Sequence, residues 1–260
     1  MKMAIIKKDL RSITANRKML VTLIVVPLVM TVFIPVVFIL SIILSPIEDL
    51  KDLIKMLEAA NIIADASNQR YMLMGLILNY IFPLFFMMIP IMVSSVMSAS
   101  SFVGEKEKKT LETLLYCPLP LKDIFAAKIL ASFLLSMVVS VISFIIMLAV
   151  FETLVFIFTK TIIMPNINWL ITMLLVAPAA SLIAISLIVR GSAKAQSSEE
   201  SQQSSLLLVM PVILLILGQF TGVMILGAHI FLILGIALAT IAAFMFKSSF
   251  GKFKYETLLR

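Results

Sequence analysis

Residues 104–120 read GEKEKKTLETLLYCPLP, a charged island set between two long apolar tracts. The chain around it is mostly hydrocarbon: of 260 residues, 62% are hydrophobic and 13% charged, which excludes an ordinary soluble domain. Folded as a helix, the island places Leu111, Leu114 and Leu115 on one face by their spacing of three and four. Glu105 with Lys109, and Lys108 with Glu112, are opposite charges four residues apart, each pair worth about 0.3 kcal/mol to that helix. Pro118 and Pro120 stop it, since each lacks an amide hydrogen and restricts the residue before it. The island is therefore predicted as a short amphipathic helix at a membrane surface. Its leucine stripe is offered either to lipid headgroups or to another protein.

Outward from the island, six apolar stretches are long enough to cross a bilayer, for which a helix needs roughly 20 residues. They run over residues 19–44, 71–97, 124–158, 169–189, 206–226 and 228–246. Ahead of the first, residues 1–18 form a basic amphipathic segment. Met3, Ile6, Leu10 and Ile13 line one side, and Lys7, Lys8 and Arg11 the other, as in a helix lying in the interface. Pro27 and Pro35 kink the first span, which neighbouring helices in a membrane tolerate. Residues 45–61 are predicted as a short outer helix, with Ser45, Pro46 and Glu48 making a capping box. The third stretch exceeds what a bilayer needs, so its first turns are expected to project from the membrane. Trp169, at the start of the fourth, fits an interfacial aromatic. The predicted fold is all-α: a polytopic membrane protein of six spans in one transmembrane domain over residues 1–260, with an interfacial helix at its N-terminus.

Charge sets the orientation. With both termini inside, cytoplasmic segments hold 17 of the 21 Lys and Arg residues, leaving Lys51, Lys55, Arg70 and Lys160 outside. The net charge of +7 is thus read as basic loops facing anionic lipid, with no nucleic-acid partner. A lone cysteine, Cys117, excludes an internal disulfide, and a lone histidine, His229, leaves little for metal or triad chemistry. No G-x-x-x-x-G-K-[ST] occurs, so the chain has no phosphate-binding loop of its own. It is read as a non-enzyme that binds no cofactor or metal.

The run E-K-E-x-x-T-L-E-x-L-L-x-x-P, with a lysine eight residues after the second proline, resembles the first cytoplasmic loop of ABC type-2 transporter permeases, most closely the sodium- and multidrug-exporter branch. The matching residues are Glu105, Glu107, Thr110, Leu111, Glu112, Leu114, Leu115, Pro118 and Lys128. Lys109 departs from the glycine usual there. The N-terminal stretch KKDLRSITANRKML (7–20) and the loop RGSAKAQSSEESQQSS (190–205), with its A-x-x-x-x-E-x-Q-Q ahead of Pro211, resemble the same family. The resemblance implies that residues 105–118 are a coupling helix docked on a separate ABC ATPase subunit, two copies per complex. That partner carries the ATP and magnesium. It implies further an exporter at the plasma membrane, working by alternating access as a homodimer or pseudo-dimer.

Gly218 and Gly222 form a G-x-x-x-G that allows two helices to approach closely, within the chain or between subunits. The resemblance favours the subunit contact. Asn79, Glu152 and Gln219 are the polar side chains that could line a pathway, since such groups are costly against lipid; helix–helix hydrogen bonds are the plainer role for Asn79 and Gln219. A secondary transporter or channel without an ATPase is the alternative, but that class more often carries charge pairs or broken helices at the bilayer centre. No motif selects among sodium, peptide, drug and lipid as substrate.

Overall fold

A computed structural model describes residues 2–15, 17–46, 69–107, 120–192, 195–203, 205–220 and 227–251. Among these, every regular element is helical. Hydrocarbon demands this, because backbone groups without water must bond within their own segment. Helix α1 (Lys2–Ala15) precedes α2 (Leu20–Leu44), α3 (Arg70–Glu107), α4 (Leu121–Thr159), α5 (Ile167–Gly191), the short α6 (Ser198–Gln203), α7 (Leu206–Phe220) and α8 (Ala228–Gly251). Six stretches are long and apolar enough to span a membrane, with α6 and α7 together forming the fifth. The expected all-α, six-span architecture is what the chain adopts. The outer helix predicted over 45–61 and the coupling residues 110–118 lie outside the described residues.

Helix α3 is the axis. From Phe82 to Glu105 nearly all of its residues are buried, well past the predicted end at residue 97. The extension is a run of serines whose polarity is absorbed locally. Ser95 Oγ donates to the Ile91 carbonyl at 2.6 Å and Ser98 Oγ to the Ser94 carbonyl at 2.5 Å. What remains is a narrow, nearly apolar surface on which neighbours pack closely. Phe82, Phe86, Phe151 and Trp169 centre one core with α2 and α4; Met87, Ile91, Ala180 and Phe231 centre a second with α5, α7 and α8. Gly235 brings α8 against α5, for a Cβ there would stand 2.6 Å from Leu175 Cδ2.

Three spans contain a wide π-helical turn, and each turn closes two residues before a proline. Val29–Phe33 precedes Pro35, Ile77–Ile81 precedes Pro83, and Thr172–Val176 precedes Pro178. Proline has no N–H to donate, and its ring crowds the carbonyl four residues back; a wider turn relieves the clash. The carbonyls so released need other donors. In α3 they find them on α5: Asn168 Nδ2 donates to the Asn79 carbonyl and Trp169 Nε1 to the Leu78 carbonyl, both at 2.9 Å.

Two expectations are corrected here. Trp169 does not face lipid headgroups: it is 2% exposed, edge-on to Phe86 and tilted against Phe144, because its N–H has a buried carbonyl to satisfy. On α1, Ile6 and Leu10 pack half-buried against the core as expected, but Met3 is 77% exposed, and the fully buried residues are Ile5 and Asp9, one turn apart. The reason is the site that Asp9 joins.

Candidate functional site

At the end of the bundle that carries α1, four ionisable side chains from three helices meet: Asp9, Glu105 and Lys128 are buried, and Lys8 reaches in from the exposed side. Lys128, two turns inside α4, is 2% exposed. Its Nζ pairs with Glu105 Oε2 at 2.5 Å and also donates to the Ser101 carbonyl, both on α3. The other carboxylate oxygen of Glu105 takes Lys8 Nζ of α1 at 2.5 Å. Ser101 Oγ donates to Asp9 Oδ2 at 2.5 Å, which fastens α1 a second time. Phe102 closes the cluster, its ring centroid 5.4 Å from Lys128 Nζ and 5.4 Å from the Phe125 ring. Ile5 packs on Ile124 and Ala127 beneath.

The charges balance, two acids against two lysines, as a buried cluster requires. Desolvation holds the Asp9 carboxyl above the usual carboxylate range, opposed by the nearby Lys128 charge and the Ser101 hydrogen bond. The arrangement offers no activated nucleophile. Its chemistry is mechanical: α1, α3 and α4 cannot separate here without stranding a charge in a dry place.

Two residues beyond Glu105, Glu107 reaches the second loop. Its Oε2 accepts from Ser198 Oγ at 3.0 Å and from Ser198 N–H at 3.3 Å. Gly104 permits the approach, since a Cβ there would lie 3.3 Å from Ser198 Oγ. In that loop Ser197 Oγ accepts the Glu200 N–H and Glu200 returns a bond from the Gln196 N–H, a near capping box that starts α6. Both loops that carry the sequence motifs are thus joined at Glu107 and Ser198.

Of the predicted coupling residues, Glu105 and Glu107 are described, and both are engaged within the chain. Thr110, Leu111, Glu112, Leu114, Leu115 and Pro118 lie outside the described residues, as does Gly222, while Gly218 sits in α7. Asn79 lies at the far end of the bundle, where its Oδ1 accepts the Asn166 N–H at 2.7 Å. Glu152 is at the same end, Oε2 taking the Ile163 N–H at 3.2 Å and Oε1 buried without a partner among the described residues. Gln219 is buried near the end of α7, its amide likewise unpaired among the described residues. Sequence reading missed Asp9, Ser101 and Ser198. The signal for Asp9 was present: it is an acid in a basic helix, four residues after Ile5.

Residues 3–229 match the family described as ABC-2 family transporter protein. The chain belongs to that family. No curated protein and no solved structure matches it. The matched region contains the whole charge cluster, from Lys8 to Ser198, and stops just inside α8. As an ABC-2 permease, the chain is a multi-pass membrane component of an ABC transporter, a family in which ATP hydrolysis belongs to an ABC ATPase partner and not to the permease.

Proposed function

We propose that this permease exports its substrate from the cytoplasm, driven by a separate ATPase subunit that docks on residues 105–118. One observation supports the reading: the Lys128–Glu105–Lys8 and Ser101–Asp9 contacts join α1, α3 and α4 within a few residues of the chain positions, Glu107 and Pro120, that flank residues 108–119 in sequence. A push on that segment then moves three helices as one body, because separating a buried ion pair costs about 3–5 kcal/mol. ATP binding closes the ATPase pair, the helices tilt, and the pathway opens outward; the two states differ in their affinity for nucleotide, which is what drives the cycle. The chain binds no cofactor itself, ATP and magnesium residing on two ATPase copies. Reconstituted with its ATPase, the permease is expected to move substrate only when ATP is supplied on the ATPase side. Movement under an ion gradient alone returns the secondary-transporter reading.

The lysine and arginine bias supports cytoplasmic termini, and the exporter reading supports the plasma membrane as the site of action. In a Cys117→Ser background, a cysteine replacing the exposed Gln196 is expected to label only from the cytoplasm, and one replacing Met164, 80% exposed at the far end, only from outside. Labelling of both from one side overturns the six-span topology.

Two permeases complete the complex, with Gly218 and Gly222 in the contact between them. Gly222→Leu is expected to shift the detergent-solubilised protein from dimer to monomer. A dimer that persists in a well-folded variant assigns the glycines to packing within the chain.

A further inference from the structure

A groove of about 510 Å³ lies between α4 and α5, at the end of the bundle away from α1. That is within the range of about 300–1,000 Å³ in which small ligands are held. It exists because α5 starts low. Trp169, in the first turn of α5, meets Phe144 with ring centroids 4.8 Å apart, and Phe144 lies 15 positions before Thr159, the last residue of α4. At about 1.5 Å per residue, α4 stands about 22 Å above the start of its neighbour. The groove occupies this step. Buried Trp169 and half-buried Phe144 lie at its base, and the exposed Ile167, Leu170 and Leu174 at its rim.

Depth and lining together name the occupant. Arg190 is exposed at the opposite end of α5, and the 20 positions from there to Leu170 measure about 30 Å, the thickness of a bilayer's hydrocarbon. Leu170 to Leu174 then lie among the acyl chains of one leaflet, with Asn166 at the level of its glycerol and phosphate groups. Water is a poor filling, since a held water needs about two to four polar partners. The Trp169 N–H is committed to the Leu78 carbonyl, which leaves the Asn166 amide as the polar side-chain group of the lining. That amide is half used: its Oδ1 accepts the Asn168 N–H at 3.0 Å as the N-cap of α5, while its Nδ2 has no partner among the described residues. One free donor thus stands above an apolar trough whose lining carries no charged side chain. We infer that the groove holds one glycerolipid of the leaflet opposite α1, its acyl chain over Trp169 and an oxygen of its glycerol–phosphate region accepting from Asn166 Nδ2. Neither half of that contact depends on the direction of transport.

The chain has one tryptophan, so its fluorescence reports on this groove alone. The test titrates the delipidated full chain, in maltoside micelles, with phosphatidylcholine brominated in mid-chain. Quenching of Trp169 that saturates at about one lipid per chain is expected, whereas a brominated alkane of the same length quenches only in proportion to its share of the micelle. Asn166→Asp keeps the capping oxygen and replaces the donor with a second acceptor, which is expected to weaken the lipid about tenfold. Leu170→Phe narrows the groove from a position 55% exposed, so the fold is spared and saturation is expected to disappear. Quenching in simple proportion to added lipid, equal saturation by the alkane, or an affinity within twofold of the original in Asn166→Asp overturns the inference. So does disulfide crosslinking between copies through Leu174→Cys in a Cys117→Ser background, the result expected if a second permease covers the groove.

Discussion

Lys128→Met is expected to lower the stability of the permease by about 3 kcal/mol and to abolish transport. Removing one partner of a buried ion pair typically costs about 3–5 kcal/mol, since the other charge is stranded. The low end applies because Lys8, half-exposed, still reaches Glu105. Methionine matches the lysine stem, so the loss is of charge and not of packing. Lys128 also opposes the upward push that burial gives the Asp9 carboxyl. Without it, Asp9 titrates higher still. A carboxyl whose folded pKa is raised above the unfolded value stabilises the fold below the unfolded pKa, and that contribution is lost as pH rises through the folded value. The variant should therefore regain stability on acidification more steeply than the unaltered protein. Thermal unfolding in detergent across a pH series measures both effects. Adding Glu105→Gln removes the stranded charge and should restore much of the stability, while leaving transport lost because the tie between α3 and α4 is gone. A Lys128→Met protein as stable and as active as the original means that the cluster neither holds nor transmits anything.

How far such a site could be read beforehand depended on what kind of force placed each residue. The spans were legible because hydrocarbon is a one-dimensional signal: α2 was predicted over 19–44 and runs Leu20–Leu44. Burial along α3 continues past residue 97, the predicted end of the span, as far as Glu105, since composition counts a serine hydroxyl as polar and cannot see it bonded to its own helix. The motif marked Glu105 and Lys128 separately, 23 residues apart, and their pairing is a tertiary fact. Asp9 looked like one charge among several on α1 until α4 supplied a lysine for it to face. Trp169 illustrates the same limit. Its position near a helix start suits lipid headgroups, and the carbonyl that holds it inside exists only because Pro83 widened a turn in another helix.

The two ends of the bundle are consequently tied by different physics. At the far end, ties run to backbone groups: amides and an indole to carbonyls of α3, contacts of about 1 kcal/mol each, the Arg70 guanidinium to the Ile43 and Ser45 carbonyls, and Glu152 to the Ile163 N–H. At the α1 end the ties are ionic and buried, strong if whole and ruinous if halved. The proposed lever suits that asymmetry: a rigid grip at the end proposed to receive the force, and softer joints at the end proposed to open.

Leu115→Asp is expected to separate the permease from its ATPase while leaving it folded and inserted. The stripe of Leu111, Leu114 and Leu115 is the apolar face of the predicted coupling helix, and central apolar anchors dominate the energy of such contacts. An aspartate there carries an unpaired charge into the docking groove, at a cost of several kcal/mol, roughly a hundredfold or more in affinity. Nothing in the membrane interior changes, and Lys128, Glu105 and Asp9 keep their partners, so topology and thermal stability should hold. Glu112→Lys is the milder companion. It reverses one rim charge, which salt partly screens, so its effect on association should shrink as ionic strength rises. Co-purification of the ATPase with the tagged permease reads association directly, and ATP-dependent transport reads its consequence. Should Leu115→Asp co-purify and transport normally, the leucines rest on lipid headgroups and force enters the cluster from somewhere other than residues 108–119.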